Sequence, residues 1–142
     1  MRYIGLDLGT KTLGVSISDE TKTIASSLKT LRFSENNTDE ILDDLINIVK
    51  EFNVEKIVLG LPKNMNNTVG ERALMAMDFG KKISEILDIP VVMQDERLST
   101  VSAHNYLIEA NMSRKKRKNV VDALAANIIL QTYLDKERRK NI

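Results

Sequence analysis

The chain has 142 residues, 42% hydrophobic and 29% charged, with a formal net charge of +1. That length suits one domain, 1–142, with a real core, and the composition is that of an ordinary globular protein. With no cysteine and a single histidine, His104, disulfides, thiolate zinc sites and a histidine-rich metal centre within one chain are excluded, so metal ligation must come mainly from oxygen.

Residues 2–8 predict a first strand, and Gly9-Thr10-Lys11 a turn whose glycine supplies unusual backbone angles. Residues 12–18 predict a second strand, with Leu13, Val15 and Ile17 alternating against Thr12, Gly14, Ser16 and Ser18. Asp19-Glu20-Thr21-Lys22 turns the chain into a third strand at roughly 23–32, completing an antiparallel meander. Asn37 and Glu40 then have the spacing of a capping box, followed by Ile41, Leu45, Ile48, Val49 and Phe52 at helical intervals. A short apolar strand at 56–61 ends at Pro62. The polar loop Lys63-Asn64-Met65-Asn66-Asn67 leads into a helix of about 69–87, with Ala73, Met77, Gly80, Ile83 and Leu87 on one face. Pro90 opens a strand at 91–95. A helix from about Ser99 to Ala110 follows, then a basic loop, then a last helix from Asn119 to about Arg139. Late strands alternating with helices imply parallel pairing through crossovers. The expected fold is therefore α/β, a mixed five-stranded sheet of three antiparallel and then two parallel strands, flanked by helices.

Carboxylates stand where they are costly. Asp7 interrupts the apolar start, Asp95 and Glu96 end the run Val91-Val92-Met93, and Asp122 sits within Val120-Val121-Asp122-Ala123-Leu124-Ala125-Ala126. A charge beside a core needs a partner, a hydrogen bond or a metal. Carboxylates gathered at one place repel, and a hard divalent cation relieves that repulsion. This pattern points to a magnesium- or manganese-dependent enzyme of phosphoryl transfer. A serine–histidine–aspartate triad would need His104 as its base, and no nucleophile motif surrounds Ser102, which lies close to it.

The basic charge is clustered, in the unbroken run Arg114-Lys115-Lys116-Arg117-Lys118 and in Lys136, Arg138, Arg139 and Lys140. The second cluster reads most simply as a solvated tail. The first directly precedes the Asp122 helix and can hold phosphates where they are cut. Asp7 breaks the apolar N-terminal run before it reaches signal-peptide length, and no stretch approaches a membrane span. A cytoplasmic protein with no membrane partner is expected.

The order of elements, with one aspartate on the first strand and another on the last helix, resembles the ribonuclease-H-like fold. Four motifs narrow the resemblance. They are Gly5-Leu6-Asp7-Leu8-Gly9-Thr10-Lys11 with Gly14-Val15, and Gly60-Leu61-Pro62 with Asn64-Met65 and Glu71-Arg72-Ala73. The third is Asp95-Glu96-Arg97-Leu98-Ser99-Thr100, and the last Asp122-Ala123-Leu124-Ala125-Ala126 with Ile129-Leu130 and Tyr133. Together, in this order and at this length, they look like the YqgF family, also called RuvX-like proteins. The resemblance implies a nuclease of pre-16S ribosomal RNA acting in ribosome biogenesis, or a resolvase of Holliday junctions and branched DNA. It implies nucleic acid as partner, and a monomer or a homodimer.

Asp7, projecting from a central strand, can bridge two metal ions about 4 Å apart; the alternative is a turn aspartate capping the Gly9 or Thr10 amides. Asp95 and Glu96 are adjacent and point to opposite faces while the strand persists, so only one easily reaches the site. The other pairs with Arg97, caps the helix near Ser99, or supports the ligands from behind. Asp122 is either a ligand or an acidic residue favoured by the helix dipole; the small Ala123, Ala125 and Ala126 let its helix approach the sheet. Lys11 holds a phosphate or is an exposed turn lysine, and Arg97 contacts the scissile phosphate or an acidic neighbour. Asn64 and Arg72 flank a loop placed to line the site, with a helix-start ion pair the other role for Arg72. Arg114, Lys115, Lys116 and Arg117 complete the expected substrate-binding set. Two further classes remain. A small ATPase or kinase module, suggested by the opening turn, needs two such domains closing on a nucleotide. A non-catalytic nucleic-acid-binding assembly factor would bind phosphates without metal-dependent turnover.

Overall fold

A computed structural model describes residues 1–62, 70–95 and 114–140, with side chains described for all of these except 114–123 and 140. β1 (Arg2–Leu8), β2 (Thr12–Ser18) and β3 (Ala25–Arg32) form the expected antiparallel meander. β4 (Val54–Leu61) then pairs parallel to β1, and β5 (Val91–Asp95) parallel to β4, giving the sheet order β3-β2-β1-β4-β5. β1 is thus central, with two neighbours on each side. α1 (Leu42–Glu51), α2 (Glu71–Leu87) and α3 (Arg114–Lys140) complete the described elements.

Each face of the sheet has its own apolar cluster. Ile4, Leu6, Leu8, Leu13, Ile57 and Leu59 pack against Leu45 and Ile48 of α1 and Phe79 and Ile83 of α2. On the other face, Tyr3 and Val58 pack against Ile129, Leu130 and Leu134 of α3. Coverage on both sides explains why β2 is buried beyond its first residue. The Ser16 and Ser18 positions, polar in the sequence, lie under α3 and have 0% and 1% exposure.

Several local expectations shift. The basic run 114–118, expected as a loop, is the start of α3, as suits lysine and arginine, which are good helix formers. Asn37 makes no side-chain cap bond; a 3-10 turn at Thr38–Ile41 precedes α1. Glu40 reaches back past Asn37, accepting from the Ser34 amide at 3.1 Å while the Asn37 amide donates to it at 3.2 Å. The buried stripe of α2 is Ala73, Ala76, Phe79, Gly80 and Ile83, whereas Met77 is 46% exposed. No glycine among the described residues has positive φ, so Gly9 is not in a left-handed conformation. The Gly9 amide instead donates to the Thr12 carbonyl at 2.7 Å. Left-handed geometry falls on Lys22, Asn36, Asn53 and Asp88, of which Asp88 (φ 55°) closes α2. The expected helix at about 99–110 and the loop 63–67 lie outside the described residues.

Candidate active site

Asp7 is half-buried near the C-terminal end of the central strand, opposite Gly14 of β2. Strand alternation puts it on the face of Tyr3 and Gly5, the face covered by α3. On that face α3 runs antiparallel to β1. Tyr3 meets Tyr133 with ring centroids 6.1 Å apart, and its hydroxyl donates to Glu137 at 3.1 Å. Closer to the site, α3 is seated directly on Gly5. A Cβ there would lie 2.6 Å from Leu130 Cβ and 3.0 Å from the Ala126 carbonyl oxygen. Glycine is required because the helix backbone occupies the space a side chain would take.

That seat fixes where position 122 falls. Asp7 is two strand residues beyond Gly5, about 7 Å. Position 122 is four helical residues beyond Ala126, about 6 Å, in the same direction. The helix backbone therefore carries residue 122 to the level of Asp7.

Asp95 is placed differently. The row Leu6–Leu59–Met93 crosses β1, β4 and β5. Asp7 is one residue past that row and Asp95 two, so Asp95 alternates onto the face of Leu6 and Met93, away from α3. Gln94 is the β5 residue level with Asp7. Glu96, Arg97 and Asn64 lie outside the described residues, as do Ser99, Thr100, Ser102 and His104. Asp122, Arg114, Lys115, Lys116 and Arg117 are placed by backbone only, all on α3. Among the described residues no three His, Asp or Glu side chains form a metal cage.

Arg72, at the start of α2, donates from Nη2 to the Leu8 carbonyl at 3.4 Å. Its guanidinium thus stands at the end of β1, one residue from Asp7. Lys11 is exposed on the turn after β1, and its carbonyl accepts from the Phe33 amide at 2.9 Å. The neighbouring Thr10 carbonyl accepts from the Asn36 amide at 2.8 Å, so the turn is tied to the segment after β3. The seat residues Gly5 and Ser16 were missed by sequence reasoning. Their signal was small side chains on facing strand positions, matched to an alanine-rich helix.

A central strand carrying a carboxylate near its C-terminal end, in a mixed five-stranded sheet crossed by a long helix, defines a ribonuclease-H-like α/β protein. Two solved structures share the fold. Thermus thermophilus RuvC in complex with a Holliday junction substrate aligns at a TM-score of 0.61 and 15% identity, covering 98% of this chain and 96% of that one. Fowlpox virus resolvase with Holliday junction DNA aligns at 0.59 and 12%, covering 96% and 98%. The RuvX family profile, described as Holliday junction resolvase, matches residues 1–136, and the chain belongs to that family. A Bacillus cereus (strain B4264) relative named "Putative pre-16S rRNA nuclease" is 50% identical over 137 residues, 96% of this chain and all of the relative. A Bacillus thuringiensis (strain Al Hakam) relative of the same name is 50% identical over 135 residues, 95% of this chain and 98% of the relative.

Proposed function

We propose that this chain is a metal-dependent endonuclease that hydrolyses phosphodiester bonds in precursor 16S ribosomal RNA near its 5′ end. The observation that carries the reading is the half-buried Asp7 on the central strand, level with the helix position of Asp122. Near-full-length identity of 50% to relatives named for pre-16S rRNA supports the substrate. Branched DNA is the second reading, favoured by the family's description as a Holliday junction resolvase.

An oxygen-only donor set fits magnesium or manganese. The residues that would hold it are Asp7, Asp122 and one of the two acidic residues at the end of β5, Asp95 or Glu96. The register favours Glu96 by elimination, because alternation puts Asp95 on the face opposite Asp7. Asp95 then supports the ligands from behind. Bound there, the cation supplies positive charge to the scissile phosphate and acidifies water at neutral pH. Arg72 positions a nonbridging phosphate oxygen beside Asp7, using a guanidinium already oriented by the Leu8 carbonyl. Lys11, Arg97 and Asn64 complete the proposed set of phosphate-binding side chains.

Arg114, Lys115, Lys116 and Arg117 hold the flanking backbone. Their placement supports this role, because α3 has no acidic residue in its first turn. Cations at a helix N-terminus oppose the macrodipole, and a polyanion removes that conflict.

The test is incubation with labelled precursor rRNA, and with a four-way DNA junction, in manganese or magnesium, for wild type and Asp7→Asn. Metal-dependent cutting that Asp7→Asn abolishes establishes the nuclease, and the substrate cut selects between the two readings. Binding of both without cutting by a folded, metal-binding protein would leave the assembly factor.

A further inference from the structure

The face that carries Asp7 holds a second buried contact to α3. Ser16 of β2 pairs in register with Gly5 and has 0% exposure. Its hydroxyl donates to the Ala126 carbonyl at 2.8 Å, with the Gly5 carbonyl at 3.3 Å. A hydroxyl has one proton, and the shorter contact takes it. The Ala126 carbonyl has a second lone pair for its helical bond, so the serine adds a cross-link without breaking the helix. The same Oγ lies 2.4 Å from where a Gly5 Cβ would stand, so serine and glycine together fill the gap under the helix. Nothing in the folding of α3 requires a polar contact at this point. Leu130, Ile129 and Leu134 already bury the helix against the sheet.

We propose that Ser16 is a positioning residue for the metal ligands, fixing the height and register of α3 so that residue 122 meets Asp7. This rests on the reading that Asp7 and Asp122 share a metal. A hydrophobic seat tolerates sliding by a fraction of an ångström, whereas a 2.8 Å hydrogen bond one helical turn from the ligand does not. Metal sites lose about 10- to 100-fold in affinity when a residue orienting a ligand is removed.

β2 supplies the control. Ser18 is the other buried serine, two residues on. Its Oγ accepts from the Tyr3 amide at 2.8 Å and donates to the Asp19 carbonyl at 3.0 Å, so its bonds stay within the sheet and its turn. Ser16→Ala and Ser18→Ala each remove one buried hydroxyl, and only the first should disturb the site. The experiment titrates Mn2+ into wild type, Ser16→Ala, Ser16→Cys, Ser18→Ala and Asp7→Asn without nucleic acid, by calorimetry and by paramagnetic resonance, with denaturant unfolding in parallel. The expected result is affinity about 10-fold lower for Ser16→Ala, intermediate for Ser16→Cys, and within about twofold of wild type for Ser18→Ala. If Ser16→Ala does not fold, Ser16→Cys, which fills the seat with a somewhat larger side chain and only a weak S–H donor, carries the comparison. Affinity in the Ser16 variants equal to wild type, or lowered equally in Ser18→Ala, overturns the positioning role. Asp7→Asn binding Mn2+ as wild type does, or wild type binding none, overturns the metal-site reading instead and removes the basis for the role.

Discussion

Asp7 and Asp95 stand on opposite faces of one sheet. Both lie at the C-terminal ends of parallel-running strands, Asp7 next to last in β1 and Asp95 last in β5, and Asp95 is one residue further along the shared register. Two carboxylates so placed cannot close on one cation while β5 stays a strand. Glu96→Gln is accordingly expected to reduce cleavage by at least about 1,000-fold, some 4 kcal/mol of barrier. Asp95→Asn, acting through other ligands, should cost about 10- to 100-fold. Initial rates at saturating substrate measure both, and the reverse ranking would sink the argument from register.

Arg72 contacts backbone rather than a carboxylate in the contact described for it. Its removal should therefore spare the fold and weaken substrate binding. Arg72→Ala is expected to raise KM about 10-fold, the cost of one charge-assisted hydrogen bond, with kcat changed far less. Arg72→Lys should recover little, because a point charge lacks the guanidinium fork. A kcat loss with KM unchanged would instead place Arg72 on the reacting atoms.

On the proposed function, the cations opening α3 are expected to act in opposite senses on folding and on binding. Replacing Lys115, Lys116 and Arg117 by glutamine should flatten the salt dependence of binding, by about 0.7 to 0.9 of slope per lost phosphate contact. The same change should leave unfolding free energy unchanged or higher by a few tenths of a kcal/mol per residue, since cations leave a helix N-terminus. A salt slope equal to wild type would show that these side chains do not meet the backbone of the nucleic acid.

At the far end of α3 the Tyr3 hydroxyl is pushed above its ordinary value, chiefly by burial. Lys56 loses to burial but is carried upward by the Tyr133 hydroxyl, which accepts from its ammonium at 3.0 Å, and by Tyr3 and Glu137. Both groups hold their protons more tightly when folded. Their contribution is complete below the unfolded values, about 10, and fades as pH rises through the folded ones. Unfolding free energy should therefore decline above pH 10, and Tyr3→Phe should make that decline shallower. Denaturant titrations from pH 8 to 11 measure it, and an unchanged decline in Tyr3→Phe would assign it to other groups.

Much of this architecture was legible in the residues. Alternation and turn chemistry placed β1, β2 and β5, and the order of elements gave the mixed sheet. Asp7 stood out because a carboxylate within an apolar strand is costly. What stayed hidden was what lies on top of what. Ser16 and Ser18 fell on the polar side of the alternation, which reports polarity and not coverage, and a helix more than a hundred residues later buries them. Met77 fell off the expected stripe of α2 because the buried face is centred on Ala76, Phe79 and Ile83, and Met77 lies about a quarter-turn from it. The choice between Asp95 and Glu96 was undecidable from sequence, since it depends on register across three strands.

α3 is 27 residues long, about 40 Å, whereas β1 with 7 residues spans about 23 Å. From Arg114 to position 122 is eight residues, about 12 Å of rigid rod. Along a duplex that distance matches between three and four phosphates of one strand, at 3.4 Å each. On the proposed function the helix is a caliper, with one jaw at the metal-holding carboxylates and the other on the backbone of the substrate. The offset between the gripped phosphates and the cut bond would then be written in the number of residues separating Arg114 from Asp122.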